Sequence, residues 1–205
     1  MMSHQRINKQ NPLVLASISP RRKAILKQIG IPFDSAGSMI NETQYKKIKP
    51  TDIACHIAIQ KVESIEHAYN NRWILGADTI VVINKTIFGK PKNPGECQDM
   101  LHLLKGKTHD VITGFCIHDP GRQLVHLEAV MTKVKIKELS DIEIEAYINT
   151  GEPFGKAGAY AIQGIGSFMI EQINGSYTNV VGLPVYEVIS ALITCGALKD
   201  FPPTE

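Results

Sequence analysis

From position 73 to 83 the chain is apolar throughout except at Gly76, Asp78 and Thr79. Such a run is expected to form a buried strand. A buried strand cannot carry an unpaired carboxylate, because stripping its water costs several kcal/mol. Any fold this chain adopts must therefore bring an arginine, a lysine or a metal ion to Asp78. A structural ion pair and a ligand-facing carboxylate both meet that requirement.

The flanking pattern alternates strands with helices. Residues 13–16 are a short apolar run followed by Ser19 and Pro20, a cap and a first-turn residue. Ile25, Leu26 and Ile29 then share a helical face, and Gly30 stops the helix. A second helix is expected from Thr51 to about Tyr69, with Ile53, Ile57 and Lys61 along one side. Asn84 and Lys85 suggest a turn into a return strand over 86–88, which ends at Gly89-Lys90-Pro91. Asn93 and Pro94 open a helix with a Cys97, Leu101 and Leu104 stripe, closed by Gly106. Residues 110–117 read as a strand. Asp119, Pro120 and Gly121 form a turn, and Val130, Thr132, Val134 and Ile136 alternate as in a half-buried strand, giving an antiparallel hairpin.

Ser140 and Glu143 make a capping box for a helix carrying Ile144, Tyr147 and Ile148, stopped near Gly151. After a glycine-rich stretch over 151–166 comes a strand over 168–173. A last helix starts at Pro184, with Val185, Val188, Ile189, Leu192 and Ile193 inward and Gly196 at its end. The interleaving, with hairpins present, predicts an α/β fold: a mixed, twisted central sheet flanked by helices.

With 205 residues, 43% of them hydrophobic, the chain can bury one sizeable core. One domain is expected over 12–200, between a flexible tail at 1–11 and a short C-terminal tail at 201–205. A formal charge of +2 is far from the balance that general nucleic-acid binding needs, so nucleic acid is not an expected partner. No apolar run approaches the roughly 20 residues of a membrane span, so a membrane is not one either. Cys55, Cys97, Cys116 and Cys195 are widely spaced, with no Cys-x-x-Cys pair, which fits reduced thiols and a cytoplasmic location.

An anion site must then be local. Ser17-Ile18-Ser19-Pro20-Arg21-Arg22 lies at the strand-to-helix turn, where a helix N-terminus, two hydroxyls and two guanidinium groups suit phosphate oxygens. Alternatively, Ser19 only caps and the arginines are solvated. Arginine at a helix start opposes the helix dipole, which favours a bound anion. Lys90 sits in a turn that can aim its ammonium at a phosphate or leave it in water. Glu42 lies in the polar loop Asn41-Glu42-Thr43. The small residues of 156–164 allow close backbone approach to a ligand, and Gln163 can read a base edge or sit exposed. Gly106-Lys107-Thr108 ends like a P-loop, but Leu101 stands where that motif demands glycine, which excludes it.

In this order the segments resemble the Maf family from Leu13 to about Gly196. The resemblance rests on Leu15-Ala16-Ser17-x-Ser19-Pro20-Arg21-Arg22, Glu42, Lys61, Gly76-Ala77-Asp78-Thr79, Gly89-Lys90-Pro91, Gly106-Lys107-Thr108-His109, Lys156-Ala157-Gly158-Ala159-Tyr160 and Asn179-Val180-Val181-Gly182-Leu183-Pro184. It implies an elongated, bilobed fold like that of inosine triphosphate pyrophosphatases, with a cleft between the lobes. It also implies a nucleoside triphosphate pyrophosphatase that uses a divalent cation (Mg, Mn or Co).

Within the family, the branch acting on 7-methyl-GTP typically has tryptophan at Arg21, glutamine at Thr79 and glutamate at Gln163. The residues here match the branch acting on dTTP and UTP. Carried over, Asp78, Glu42 and Lys90 are catalytic, with Asp78 and Glu42 also metal ligands. Ser17, Ser19, Arg21, Arg22, Lys61, Thr79 and Gln163 bind substrate, and Arg21, Thr79 and Gln163 set specificity. Gly155 and Asn41 depart from the pattern, each standing where aspartate is common. The resemblance also leaves open modified pyrimidine nucleotides as substrates, a homodimer, and a non-catalytic nucleotide-binding regulator of cell division and septum formation.

Overall fold

The computed structural model describes residues 5–38 and 48–202. Its strands are β1 (Leu13–Leu15), β2 (Phe33–Ser35), β3 (Ile74–Ile83), β4 (Thr86–Phe88), β5 (Thr108–His118), β6 (Leu124–Ile136) and β7 (Ile170–Asn174). The helices are α1 (Pro20–Gln28), α2 (Pro50–Glu63), α3 (Pro94–Leu104), α4 (Asp141–Asn149), α5 (Tyr177–Val181) and α6 (Val185–Thr194). The strands form one mixed sheet in the order β2-β1-β3-β5-β6-β7, with β4 also paired to β3. β1 runs parallel to β2 and β3, whereas β4 and β7 are antiparallel to their neighbours β3 and β6. The protein is thus of the α/β class, a mixed sheet flanked by helices.

By internal contacts the chain divides into two compact units. Among the described residues, the first comprises 5–38, 48–78, Thr113–Val130 and 182–202, and the second Thr79–Ile112 and Met131–Val181. In the first unit α2 lies close on the sheet. A Cβ on Gly76 would sit 2.4 Å from the Ala58 carbonyl oxygen, and one on Gly114 would sit 2.3 Å from the backbone of Ala54 and Cys55. Only glycine on the strands, facing alanine on the helix, permits that approach. The buried stripe of α2 is accordingly Ala54, Ala58 and Val62 together with Ile53. The expected Ile53–Ile57–Lys61 line is displaced by one position, and Ile57 is only half-buried.

The first unit also holds residues 5–11 of the stretch expected to form an N-terminal tail. Ile7 is buried and its N–H donates to the Ala197 carbonyl, while Trp73 Nε1 donates to the Gln5 carbonyl at 3.0 Å. At the other end α6 buries Val188, Ile189, Ala191 and Leu192, but Ile193 is exposed.

The second unit closes around Leu101, Leu104, Val134, Ile136, Ile144 and Tyr147. Its local signals read true. Asn84 and Lys85 adopt φ of +50° and +67° at the β3–β4 turn, and the Asn93 side chain caps α3 by accepting from Glu96 N–H at 2.9 Å. The Ser140–Glu143 capping box is complete, and Lys137 bonded to Glu143 holds that carboxyl at about 2. All four cysteines are free, and burial pushes the Cys97 and Cys116 thiols up to about 11 and about 12.

The close approach of α2 is checked by Gly114→Ala, whose Cβ meets backbone that cannot yield. It should cost about 3 kcal/mol and lower the melting temperature by about 10 °C. Gly89→Ala adds a methyl where nothing lies within 4 Å and should change stability by less than about 0.5 kcal/mol. Equal melting temperatures for the two variants in calorimetry would contradict this packing.

Candidate active site

Asp78 and Thr79 are the two half-exposed positions of an otherwise buried β3. The register gives the reason. Pairing of β3 with β1 ends at Leu75, and pairing with β4 begins at Val81. Along the edge of β3 that pairs with β1 and β4, residues 76–80 therefore have no ladder partner among the described residues, and the Ala77 carbonyl accepts from Lys61 Nζ at 3.2 Å. The same ammonium donates to Asp78 Oδ1 at 2.6 Å, with side-chain exposures of 14% for Lys61 and 19% for Asp78. The partner that the sequence demanded for Asp78 is thus a lysine, delivered by α2.

Arg22 occupies the start of α1 and is 8% exposed, the one arginine among the buried polar residues described. Its Nε donates to the Gly182 carbonyl at 2.7 Å, and one terminal nitrogen donates to Ser17 Oγ at 3.3 Å. Burial lowers the proton affinity of the guanidinium, the charge of Asp78 raises it, and neighbouring Arg21 lowers it again. Burial also lowers that of Arg21. Both remain charged at neutral pH, because a guanidinium is not deprotonated in proteins. Ser19 is the N-cap residue but makes no side-chain cap bond; its own N–H donates to Ser17 Oγ at 3.2 Å. Ser17, Arg22, Lys61 and Asp78 are therefore brought together within the first unit. With Arg21 they set three cations against one carboxylate at a helix N-terminus, an excess of positive charge suited to an anion with several oxygens.

The second unit holds Thr79, Lys90 and Gln163. Lys90 is exposed, and its turn is fixed by a 3.0 Å bond from Gly158 N–H to the Gly89 carbonyl. Gly158 has φ of +70°, and a Cβ there would press on Val81 at 3.0 Å, so the glycine of Lys156-Ala157-Gly158 is required by the backbone. Gln163 is exposed on the loop that follows. Gly155 has φ of +77°, a left-handed conformation that suits glycine better than the family's aspartate. Glu42 and Asn41 lie outside the described residues.

Three contributors were not singled out as site residues in the sequence. The Gly182 carbonyl acts as a backbone acceptor, which leaves no residue-type mark. Glu152 and Tyr147 grip the loop bearing Gln163: Glu152 accepts from Gly166 N–H at 2.7 Å, Ile165 N–H at 2.8 Å and Tyr147 Oη at 3.0 Å.

The fold and this cluster define an α/β protein with a cationic strand–turn–helix junction beside an ion-paired strand carboxylate. The chain belongs to the Maf family: residues 12–195 match the family described as Maf-like protein. It is similar to the dTTP/UTP pyrophosphatase of Citrifermentans bemidjiense, at 47% identity over 94% of this chain and 100% of that one. That of Geobacter metallireducens is 48% identical over 91% and 97% of the two chains. That of Halalkalibacterium halodurans is 42% identical over 93% and 99%. A solved nucleoside-triphosphatase / dITP/XTP pyrophosphatase from Mycobacterium abscessus covers 68% of this chain and 95% of its own, at 13% identity and a TM-score of 0.39, a likeness too slight to carry an argument.

His109 and Tyr160 join two of the family segments inside the second unit, Nε2 to Oη at 2.7 Å, with Nδ1 unpartnered among the described residues. Burial lowers the His109 pKa from 6.5 to about 4. The unfolded chain therefore takes up this proton first. The stability contributed by neutral His109 is complete above pH 6.5 and is lost as pH falls towards 4. The melting temperature should drop across that window, and drop less in His109→Gln. Identical pH profiles for the two proteins would show that His109 is not the group responsible.

Proposed function

We propose that the protein hydrolyses dTTP and UTP at the α–β phosphoanhydride, yielding the nucleoside monophosphate and pyrophosphate. The observation that carries this reading is the Lys61–Asp78 pair beside buried Arg22, in a chain whose relatives at 41–48% identity are dTTP/UTP pyrophosphatases. Water attacks the α-phosphorus, its proton passes to the Asp78 carboxylate, the bond from α-phosphorus to the bridging oxygen breaks, and pyrophosphate leaves. Lys61, Arg21, Arg22 and Lys90 offset the charge of the phosphates, and Ser17 and Ser19 add donors. Glu42 orients the water as a second carboxylate. Thr79 and Gln163 contact the pyrimidine, where a polar site rejects a base with the wrong donors and acceptors.

The donor chemistry fits a hard divalent cation. Carboxylate oxygens are the donors a hard divalent cation takes, commonly one or two of them together with substrate phosphates and water. Asp78 and Glu42 would hold Mg, Mn or Co, and such an ion supplies charge stabilisation at the phosphates. No described helix is long and apolar enough to cross a membrane. The domain is proposed to span 12–200.

Product analysis separates the possible cleavage sites. Incubation with dTTP or UTP should release monophosphate and pyrophosphate in equal amounts. Diphosphate and orthophosphate as primary products would refute the assignment.

Asp78→Asn keeps the shape of the side chain and loses its charge. It should reduce turnover at least about a hundredfold. A folded variant with near-normal turnover would make the Lys61–Asp78 pair purely structural.

A further inference from the structure

Gln163 stands at the tip of a loop whose two feet are held by one pair of side chains in the second unit. On the incoming side, Ala161 N–H donates to Tyr147 Oη at 3.2 Å. On the outgoing side, Ile165 N–H and Gly166 N–H donate to the two carboxylate oxygens of Glu152 at 2.8 and 2.7 Å. Tyr147 Oη donates to Glu152 Oε1 at 3.0 Å and so links the two grips. The glycines between them leave no slack. A Cβ on Gly164 would lie 2.4 Å from Glu152 Oε2, and one on Gly166 would lie 2.6 Å from Tyr147 Oη and 2.5 Å from the Ala161 carbonyl oxygen. Gly164 has φ of +83°, which only glycine adopts readily, and Ser167 Oγ closes on its carbonyl at 2.7 Å.

A carboxylate serves here because it offers acceptors to three donors at once and has none of its own to misdirect. Partial burial works against its charge, but the backbone N–H groups of Gly166 and Ile165, the Tyr147 hydroxyl and the charge of Lys156 together keep the carboxyl below its usual range. It accordingly stays ionised at neutral pH. Glu152 itself is anchored at the end of α4, whose capping box, Gly151 turn and buried Ile144 and Tyr147 fix the helix in the core of the unit. The chain of support runs from the core, through α4 and Glu152, to the loop of Gln163.

We propose that Glu152 is a positioning residue for base selection: with Tyr147 it fixes the 161–166 loop so that Gln163 meets the pyrimidine edge. This rests on the reading of Gln163 given above. A base-reading amide must be held to within a fraction of an ångström, and a loop of small residues cannot hold it unaided. Glu152→Gln removes the charge and turns an amide NH2 towards one of the two backbone donors, freeing one foot of the loop.

The test measures kcat and KM for dTTP, UTP and GTP in wild type, Glu152→Gln, Gln163→Ala and the double variant, with melting temperatures for each. The selectivity ratio, kcat/KM for dTTP over that for GTP, should fall about tenfold in Glu152→Gln. The loss should appear mainly in KM for the pyrimidine nucleotides. In the Gln163→Ala background the same substitution should leave the ratio unchanged, because the residue being positioned is gone. Tyr147→Phe, which spares the carboxylate, should move the ratio in the same direction by about threefold and serves if Glu152→Gln does not fold.

A ratio unchanged in folded Glu152→Gln or Tyr147→Phe, while Gln163→Ala shifts it, overturns the positioning role and leaves the Gln163 reading standing. Effects of Glu152→Gln and Gln163→Ala that multiply would overturn it as well. A ratio unaffected by Gln163→Ala overturns the reading of Gln163 itself, and the present proposal with it.

Discussion

The first unit depends on how close α2 can come to the sheet. Gly76 and Gly114 leave the strand surface bare, and Ala54 and Ala58 present backbone rather than bulk to it. That contact fixes the helix both in height and in rotation. With Ala58 and Val62 turned inward, Lys61 is carried to the rim of the same face, where its ammonium reaches the Ala77 carbonyl and Asp78 Oδ1. A bulkier residue at either glycine would lift the helix and withdraw the lysine. The buried strand would then hold a carboxylate without its partner, which is far more costly than the ion pair is stabilising. Packing and electrostatics are here one constraint.

Arg22 is held in an equally determined way. A buried guanidinium needs several acceptors, and it finds the Gly182 carbonyl and the Ser17 hydroxyl within its own unit. Gly182 adopts φ of +122°, so the Val181-Gly182-Leu183 turn presents its carbonyl to Arg22 through a backbone shape that favours glycine. The family segments at the two ends of the chain therefore meet in one hydrogen bond.

What the sequence made legible was local. The capping box at Ser140, the Asn93 cap, the Asn84-Lys85 turn and the apolar run of β3 depend on neighbours a few residues away, and the structure holds each of them. The misses are long-range. β2 is a three-residue strand set by its parallel pairing with β1, and α5 is barely more than one helical turn, so neither has a periodic pattern of its own. The face of α2 was displaced by one residue because isoleucine outranks alanine in hydrophobicity, whereas shape complementarity to two distant glycines decides which side lies down. β6 begins at Leu124, well before its alternating stretch, with Leu124, Val125 and Leu127 exposed. For the site, the need of Asp78 for a cation was readable from burial alone. Its identity as Lys61 was not, since the two lie 17 positions apart and one helix register decides whether they meet. The bonds from Ile165 and Gly166 N–H to Glu152 were invisible too, because backbone donors leave no mark in the residue types.

The charge arrangement separates catalysis from binding. Within the first unit Arg21, Arg22 and Lys61 supply three positive charges, and Asp78 takes one back. A site whose only task was to hold a triphosphate would bind it more tightly without that carboxylate, which repels phosphate oxygens and occupies a lysine that could meet them. On the proposed reading, retaining Asp78 weakens the ground-state complex. It is useful only if the carboxylate accepts a proton or steadies a cation as charge shifts from water to the leaving pyrophosphate, a benefit realised in the transition state rather than in the bound substrate. On the reading proposed above, the pairing of Lys61 with Asp78 is that of a site that hydrolyses a phosphoanhydride rather than one that only holds a nucleotide.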